Sequence, residues 1–449
     1  MCGYIEVNST AINTTGYRIE LTNQIANELA SKEYASRSEV GRRGVSSRRR
    51  ELTNNKLVLL LINFKSSIQR ELDSFFKELN NEGFNIRTLT KSAFTKARAK
   101  LNPWAFKRLG EIAVEVFYNQ APYHTWHGKR LLGIDGTRLK LPNHPSVIAE
   151  FGQHQMGPKA DSPCSMAIGS VLYDCLNLVA IDSQLSSYET GERDLLLQHL
   201  AYVKEGDLLL LDRGYPCFWL LFLLAAKKID FCVRLKADWW LKVNAFLKSP
   251  QVDGIVSLTL PKKDWDKLKD YPSIQDQQLR CRLVKVELPT GETEILCTSL
   301  IDQETYATDE FNALYHQRWS EEEGFKLLKS RIELERFTGK TALAVRQDFH
   351  AKILLLTLTA VYAHPIEERV RQEFKADEQR KHPQKINRTN ALSNMQKISV
   401  SLFLKNMAAK VLTCFDEIVY KTRELIRPNR KNPRNHKLKK TYSMNYKPL

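Results

Sequence analysis

Four side chains of different chemistry share one stripe of a predicted helix over 308–331, TDEFNALYHQRWSEEEGFKLLKSR. That stretch has no proline and one glycine, Gly324, and it offers Thr308 or Asp309 as an N-cap. At about 100° per residue, Arg318, Glu322 and Lys329 fall within about 60° of Tyr315, while Glu321 and Glu323 point away. A solvated face scatters its charges and a core face is apolar. A tyrosine, an arginine, a carboxylate and a lysine along about three turns instead suit a metal ion beside a phosphate.

Two further acids stand out by context. Asp135 interrupts an otherwise apolar strand in RLLGIDGTRLKLP, and Asp212 ends the run LLLL in DLLLLDRGYP, where an unpaired charge is costly. Neighbouring strands can set these two side by side, with a covering helix carrying Glu322 over them. Clustered carboxylates repel, and hard divalent cations relieve the conflict. Two magnesium ions roughly 3.5–4 Å apart would activate a water or a 3′-hydroxyl and stabilise the departing oxygen of a phosphodiester.

The elements that must position these residues read as follows. Residues 1–56 form a basic arm crowded with Arg37, Arg42, Arg43, Arg48, Arg49 and Arg50, suited to backbone phosphates. Helices follow: one over 57–79, a short basic one over 90–101, and one from Asn102-Pro103 to about Tyr118, with the tight break compatible with a helix-turn-helix or a plain bundle. From Lys129 the pattern changes to strands. The order is a strand around Asp135, a loop over 143–163, a hairpin turning at 174–177, a helix opened by Thr190-Gly191-Glu192, a strand at 207–212, a helix at 217–228 and a strand at 230–236. That succession predicts an α/β fold, a mixed sheet covered by helices on both faces. Residues 238–300, with strand-like 255–260, 279–288 and 294–299 and with Trp239, Trp240 and Trp265, read as a β-rich insertion. A long helix over 342–363 and one or two more over 385–426 precede the tail 427–449, which carries eight Lys or Arg and no carboxylate and reads as unstructured without a polyanion.

Composition sets the outer bounds. At 449 residues the chain should split into two to four domains, and 43% apolar content is ordinary for a globular protein. A net charge of +17 favours a polyanionic partner, nucleic acid before membrane. Eight scattered cysteines without CxxC spacing suit a reducing compartment, with neither a disulfide framework nor a zinc site. No signal peptide is visible, the apolar runs at 217–226 and 353–363 read as core, and His124, His127, His144 and His154 match no metal-ligand spacing and read as loop residues.

IDGTRLKLP, LLLLDRGYP and the Y-x2-R-x3-E-x6-K spacing of Tyr315, Arg318, Glu322 and Lys329 resemble the three signatures of the DDE transposases of the bacterial insertion-sequence-four family. The resemblance extends through LERFTGKTALAVRQDFHAKILL and covers about residues 85–365 and the basic tail. It implies an RNase H-like catalytic domain in which Asp135, Asp212 and Glu322 hold two Mg²⁺ or Mn²⁺ ions. Such enzymes nick the transposon end, use the freed 3′-hydroxyl on the opposite strand, and join the ends to target DNA. By the same resemblance Tyr315, Arg318, Lys329 and Arg213 contact DNA, Trp319 follows Arg318 as in the family pattern, and a tryptophan of the insertion stacks on a flipped base. The expected division is a basic arm and helical DNA-binding domain (1–125), the two catalytic parts (126–237 and 301–340) around the insertion (238–300), and a C-terminal helical region with the tail (341–449). The expected partners are transposon-end and target DNA with a homodimer on DNA and no membrane, in the bacterial cytoplasm at the nucleoid. Rival readings are an inactive end-binding repressor and a nuclease of the same fold that cuts without joining.

Overall fold

A wide mixed sheet and one long apolar helix organise the chain. The computed structural model describes residues 5–7, 16–41, 51–65, 67–155, 163–236, 240–274, 276–288, 291–377 and 381–426, and of 321–323 and 330 it describes the backbone alone. Strand β1 (Ile5–Val7) is followed by helices α1 (Gly16–Ala30), α2 (Lys32–Arg37), α3 (Asn54–Asn63), α4 (Ile68–Asn80), α5 (Lys91–Arg98) and α6 (Trp104–Gln120), and then by β2 (His124–Trp126), which pairs antiparallel with β1. The basic arm expected over 1–56 therefore contains two helices. One apolar residue per turn (Tyr17, Leu21, Ile25, Leu29) buries α1, and Arg37 lies 4.2 Å over the ring of Trp104. Arg42, Arg43, Arg48, Arg49 and Arg50 lie outside the described residues, as does the tail 427–449.

The helix expected over 57–79 is two, because Phe64 leaves the helical region (φ −64°, ψ 117°) and Ser67 starts a new one. At α5 the Thr90 side chain caps the Ala93 amide, and at α6 Asn102 Oδ1 accepts from the Trp104 amide at 2.9 Å.

The central elements follow as β3 (Leu131–Lys140), α7 (Pro145–Phe151), β4 (Met166–Asp174), β5 (Ala180–Ser187), α8 (Glu192–His199), β6 (Leu208–Leu211), α9 (Phe218–Ala226), β7 (Asp230–Leu235), α10 (Leu241–Lys248), β8 (Asp253–Thr259), β9 (Gln278–Glu287) and β10 (Thr293–Thr298). The loop expected at 143–163 thus holds a helix, α7, whose N-cap is His144 with Pro145 behind it. Strand order in the sheet is β5-β4-β3-β6-β7-β10-β9-β8. β3, β4 and β5 run antiparallel, and β6 and β7 lie parallel to β3, which is the RNase H-like mixed arrangement. The strands of the β-rich stretch do not form a sheet of their own. β10 pairs with β7 and carries β9 and β8 outward, so they widen the same sheet.

Beyond the sheet come α11 (Glu310–His316), α12 (Trp319–Ser330), α13 (Ala342–Ala376), α14 (Arg388–Phe403) and α15 (Ala408–Lys421). α13 is the one helix among the described residues long and apolar enough to cross a membrane, and 89% of that apolar window is buried inside the protein. It packs with α1, α3, α6, α14 and one face of the sheet in a single hydrophobic cluster from Tyr17 to Val419. Pro365 sits inside it and lacks an amide, which orphans the carbonyl four residues earlier. That carbonyl, Val361 O, accepts from the Tyr17 hydroxyl at 2.7 Å, so α1 completes the bonding of α13.

Candidate active site

The sheet aligns the two aspartates. β3 and β6 pair in parallel as Leu131↔Leu208, Leu132↔Leu209 and Gly133↔Leu210. Two residues further along each strand the same register sets Asp135 level with Asp212, on strands spaced about 4.8 Å apart. Side chains alternate along a strand, so Asp135 shares a face with Leu131, and Asp212 shares one with Leu208 and Leu210. Those three leucines belong to one cluster with Phe311, Leu314 and Tyr315 of α11, which identifies the face. β6 stops at Leu211 while β3 continues, leaving both acids where the parallel pairing ends.

The stripe is carried by two helices, not one. Gln317 and Arg318 keep helical angles, but their amides bond three residues back, to Leu314 O and Tyr315 O at 3.1 Å, and this tighter turn separates α11 from α12. Of the two expected caps, Asp309 occupies the N-cap position but makes no side-chain cap bond, and Thr308 instead bonds the Asp253 carboxylate at 2.5 Å. Tyr315 is buried and donates its hydroxyl to the Leu211 carbonyl at 3.3 Å, one residue before Asp212. Arg318 is 7% exposed, its guanidinium 5.7 Å over the Tyr315 ring and close enough to Asp135 to favour its charged form. Lys329 is exposed and donates to the Arg138 carbonyl of β3 at 3.1 Å. Glu322 lies on α12 seven residues, about two turns, before Lys329; its side chain is outside the described residues. Gly324 is buried where a Cβ would stand 3.4 Å from the Tyr173 ring, so its bare backbone lets α12 lie close on β4. Arg213 is exposed, and Trp319, 55% exposed, stacks with His316 at 5.8 Å between centroids.

Burial pushes the Asp135 carboxyl up to about 6, opposed by the Gly136 amide and Arg318 and reinforced by the like charges of Glu192 and Asp212. Asp212 Oδ1 makes no hydrogen bond, and among the described residues the cation paired with it is Arg234, whose Nη1 stands 4.0 Å away. Glu192 was missed from the sequence, where an acid in the first turn of a helix is ordinary. The signal lay in two glycines: a Cβ on Gly136 would come 3.4 Å from Glu192 Oε1, and one on Gly214 3.1 Å from Oε2. Each glycine follows one of the aspartates within two residues, and each leaves room for the same carboxylate.

A pair of carboxylates, one pushed toward its neutral form and one with an oxygen lacking a donor, fits a hard divalent cation. Among the described residues no three His, Cys, Asp or Glu side chains gather closely enough to hold an ion. The four histidines are dispersed, His124 with Glu368, His127 with Glu310, His144 as the α7 cap and His154 paired to Cys164. His124 thus lies on β2 rather than in a loop, while His127 sits in the turn that follows β2, as expected. Trp240 stacks on Phe218 in the core, Trp265 packs against the same cluster, and Trp239 is outside the described residues.

With this geometry in hand, comparison places the chain among known proteins. The family model described as a transposase DDE domain matches residues 126–358. The transposase for insertion sequence element IS4 of Escherichia coli (strain K12) is 25% identical over 277 residues. That match covers 60% of this chain and 60% of the relative, so the chain spans about three fifths of the length of the curated protein it matches. Among solved structures, a piggyBac transposase synaptic complex with hairpin DNA aligns over 93% of this chain and 87% of that one at 9% identity and a TM-score of 0.45.

Proposed function

Because this chain belongs to the transposase DDE-domain family, in its insertion-sequence-four branch, we propose that it is a metal-dependent transposase that cuts transposon-end DNA and joins it to a target. The observation that carries the reading is the level placement of Asp135 and Asp212 at the end of the β3–β6 pairing, with Asp212 Oδ1 lacking a hydrogen bond.

In this reading Asp135, Asp212 and Glu322 hold two Mg²⁺ or Mn²⁺ ions. When bound, these supply Lewis-acid activation of the attacking hydroxyl and stabilisation of the leaving oxygen. The protein's own groups do the rest. Tyr315 ties α11 to the carbonyl before Asp212, and Lys329 ties α12, the glutamate helix, to β3, so the two successive helices are anchored one to each aspartate strand. An ammonium has three donors, and Lys329 spends one of them on Arg138, keeping the others for a phosphate. Arg213 and Trp319, both exposed near the strand ends, face bound DNA, with Arg318 and Tyr315 behind them. Residues 1–125 with 341–449 read as the end-binding part, 126–237 with 301–340 as the catalytic part around 238–300, and two copies assemble on paired ends.

The test is cleavage of a transposon-end duplex in Mg²⁺. Glu322→Ala is expected to abolish cutting and leave end binding nearly intact; cutting at the wild-type rate would sink the proposal. Lys329→Ala is expected to weaken binding and to flatten its salt dependence by about one unit of slope for the phosphate no longer neutralised. Joining of pre-nicked ends separates a transposase from a nuclease of the same fold.

A further inference from the structure

The Asp212 carboxylate is aimed by its backbone. Its Oδ1 accepts no hydrogen bond and Arg234 stands 4.0 Å away, so no close donor fixes that oxygen. What holds the backbone there is a clamp from another element. Arg193, in the first turn of α8, donates from Nε to the Tyr215 carbonyl at 2.9 Å and from Nη2 to the Gly214 and Pro216 carbonyls at 3.0 and 3.3 Å. One planar guanidinium thus spans three successive carbonyls of the turn that starts at Asp212 and closes through the Tyr215 amide to the Asp212 carbonyl at 3.0 Å. The clamp has a firm base, since Leu195 and Leu196 bury α8 in the core, and Tyr215 is itself buried. The fit is close: a Cβ on Gly214 would lie 3.1 Å from the neighbouring Glu192 carboxylate.

We propose that Arg193 is a positioning residue of the metal centre, fixing the 212–216 turn so that Asp212 stays level with Asp135. The inference rests on the metal-dependent reading of those aspartates given above. Removing a group that orients a metal ligand typically costs 10–100-fold in metal affinity or activity. A group that only stabilises the fold lowers the melting temperature and leaves the affinity of the folded protein alone. A lysine keeps the charge but carries a single ammonium on a flexible stem, so it cannot reproduce the planar three-carbonyl clamp.

The experiment titrates the full chain with Mn²⁺, by calorimetry or by loss of the free-ion resonance signal, without DNA. Arg193→Ala is expected to bind Mn²⁺ about tenfold more weakly than wild type. Arg193→Lys is expected to recover part of that loss, and it is the deciding variant should Arg193→Ala not fold. Wild-type Mn²⁺ affinity in a folded Arg193 variant would overturn the positioning role. Asp212→Asn separates the two levels. Reduced affinity there with unchanged affinity in the Arg193 variants defeats only this inference, and unchanged affinity in Asp212→Asn defeats the reading of the site beneath it.

Discussion

His350 is buried on α13 with its Nδ1 3.0 Å from Ser183 Oγ, facing Lys107 from α6 and Asp182 from β5, with Arg346 one turn earlier on its own helix. Burial first, and then the Lys107 and Arg346 charges, hold its pKa down at about 3, against the opposing pull of Asp182. A histidine whose folded pKa is depressed refuses a proton that the unfolded chain accepts below about 6.5. Its contribution to stability is therefore complete above that pH and is lost between about 6.5 and 3, at up to roughly 1.4 kcal/mol per pH unit. Urea unfolding at pH 7 and pH 5 checks this: His350→Gln should show a smaller drop between the two than wild type, and an equal drop would refute the assignment. The same scale shows what could be read in advance. Asp135 and Asp212 were legible because each breaks an apolar strand. Glu192 was not, because it stands where helices ordinarily carry acids, and only the absent side chains of Gly136 and Gly214 reveal which way it faces.

Between elements, one buried ion pair joins the N-terminal helices to the segment that follows α12. Arg98, at the end of α5, donates to Asp348 Oδ1 at 2.7 Å, to Gln347 Oε1 at 2.7 Å, to the Ala344 carbonyl at 2.9 Å and to Thr338, and both side chains are nearly sealed from solvent (6% and 2% exposed). The Thr338 amide bonds the other Asp348 oxygen at 2.6 Å, and Gly339 packs where a Cβ would meet Ala344 at 2.7 Å, so the loop between α12 and α13 is moulded around this pair. Breaking such a pair from one side leaves a bare buried charge, at a cost of roughly 3–5 kcal/mol. Asp348→Ala is expected to lose about that much in chemical denaturation, and Arg98→Met with Asp348→Leu to regain most of it; a small loss in the single variant would show that the pair is not what holds the loop. Elements with a strong signal were legible: the apolar strands β6 and β7, the hairpin β4–β5 and the Thr90 and Asn102 starts. The split between α11 and α12 was not, because Gln317 and Arg318 keep helical angles and only the bonding tightens. α1 shows one apolar residue per turn, a stripe easily lost beside the arginines that follow it.

Across the whole molecule, folding joins what the sequence separates. Helices from both ends of the chain share a core around α13, and Arg18 of α1 pairs with Asp416 of α15 at 2.6 Å, so the end-binding part proposed above draws on both termini. The strands of the 238–300 stretch join the sheet that carries the two aspartates through β7 and β10, a pairing over a long sequence separation that local periodicity does not encode. Charge works at this scale too. The net +17 comes disproportionately from the termini, and residues 427–449 hold eight lysines and arginines with no acid. Each phosphate that a protein neutralises adds about 0.9 to the steepness with which binding falls as salt rises. Deleting 427–449 is therefore expected to flatten the plot of log affinity against log salt for duplex DNA by several units and to weaken binding most at low salt. Cutting at saturating DNA should persist, because the aspartates, their strands and the Arg193 clamp all lie before residue 427. A deletion variant with the full wild-type salt slope would show that these charges touch no phosphate, and a variant that binds but cannot cut would place the tail in the chemistry.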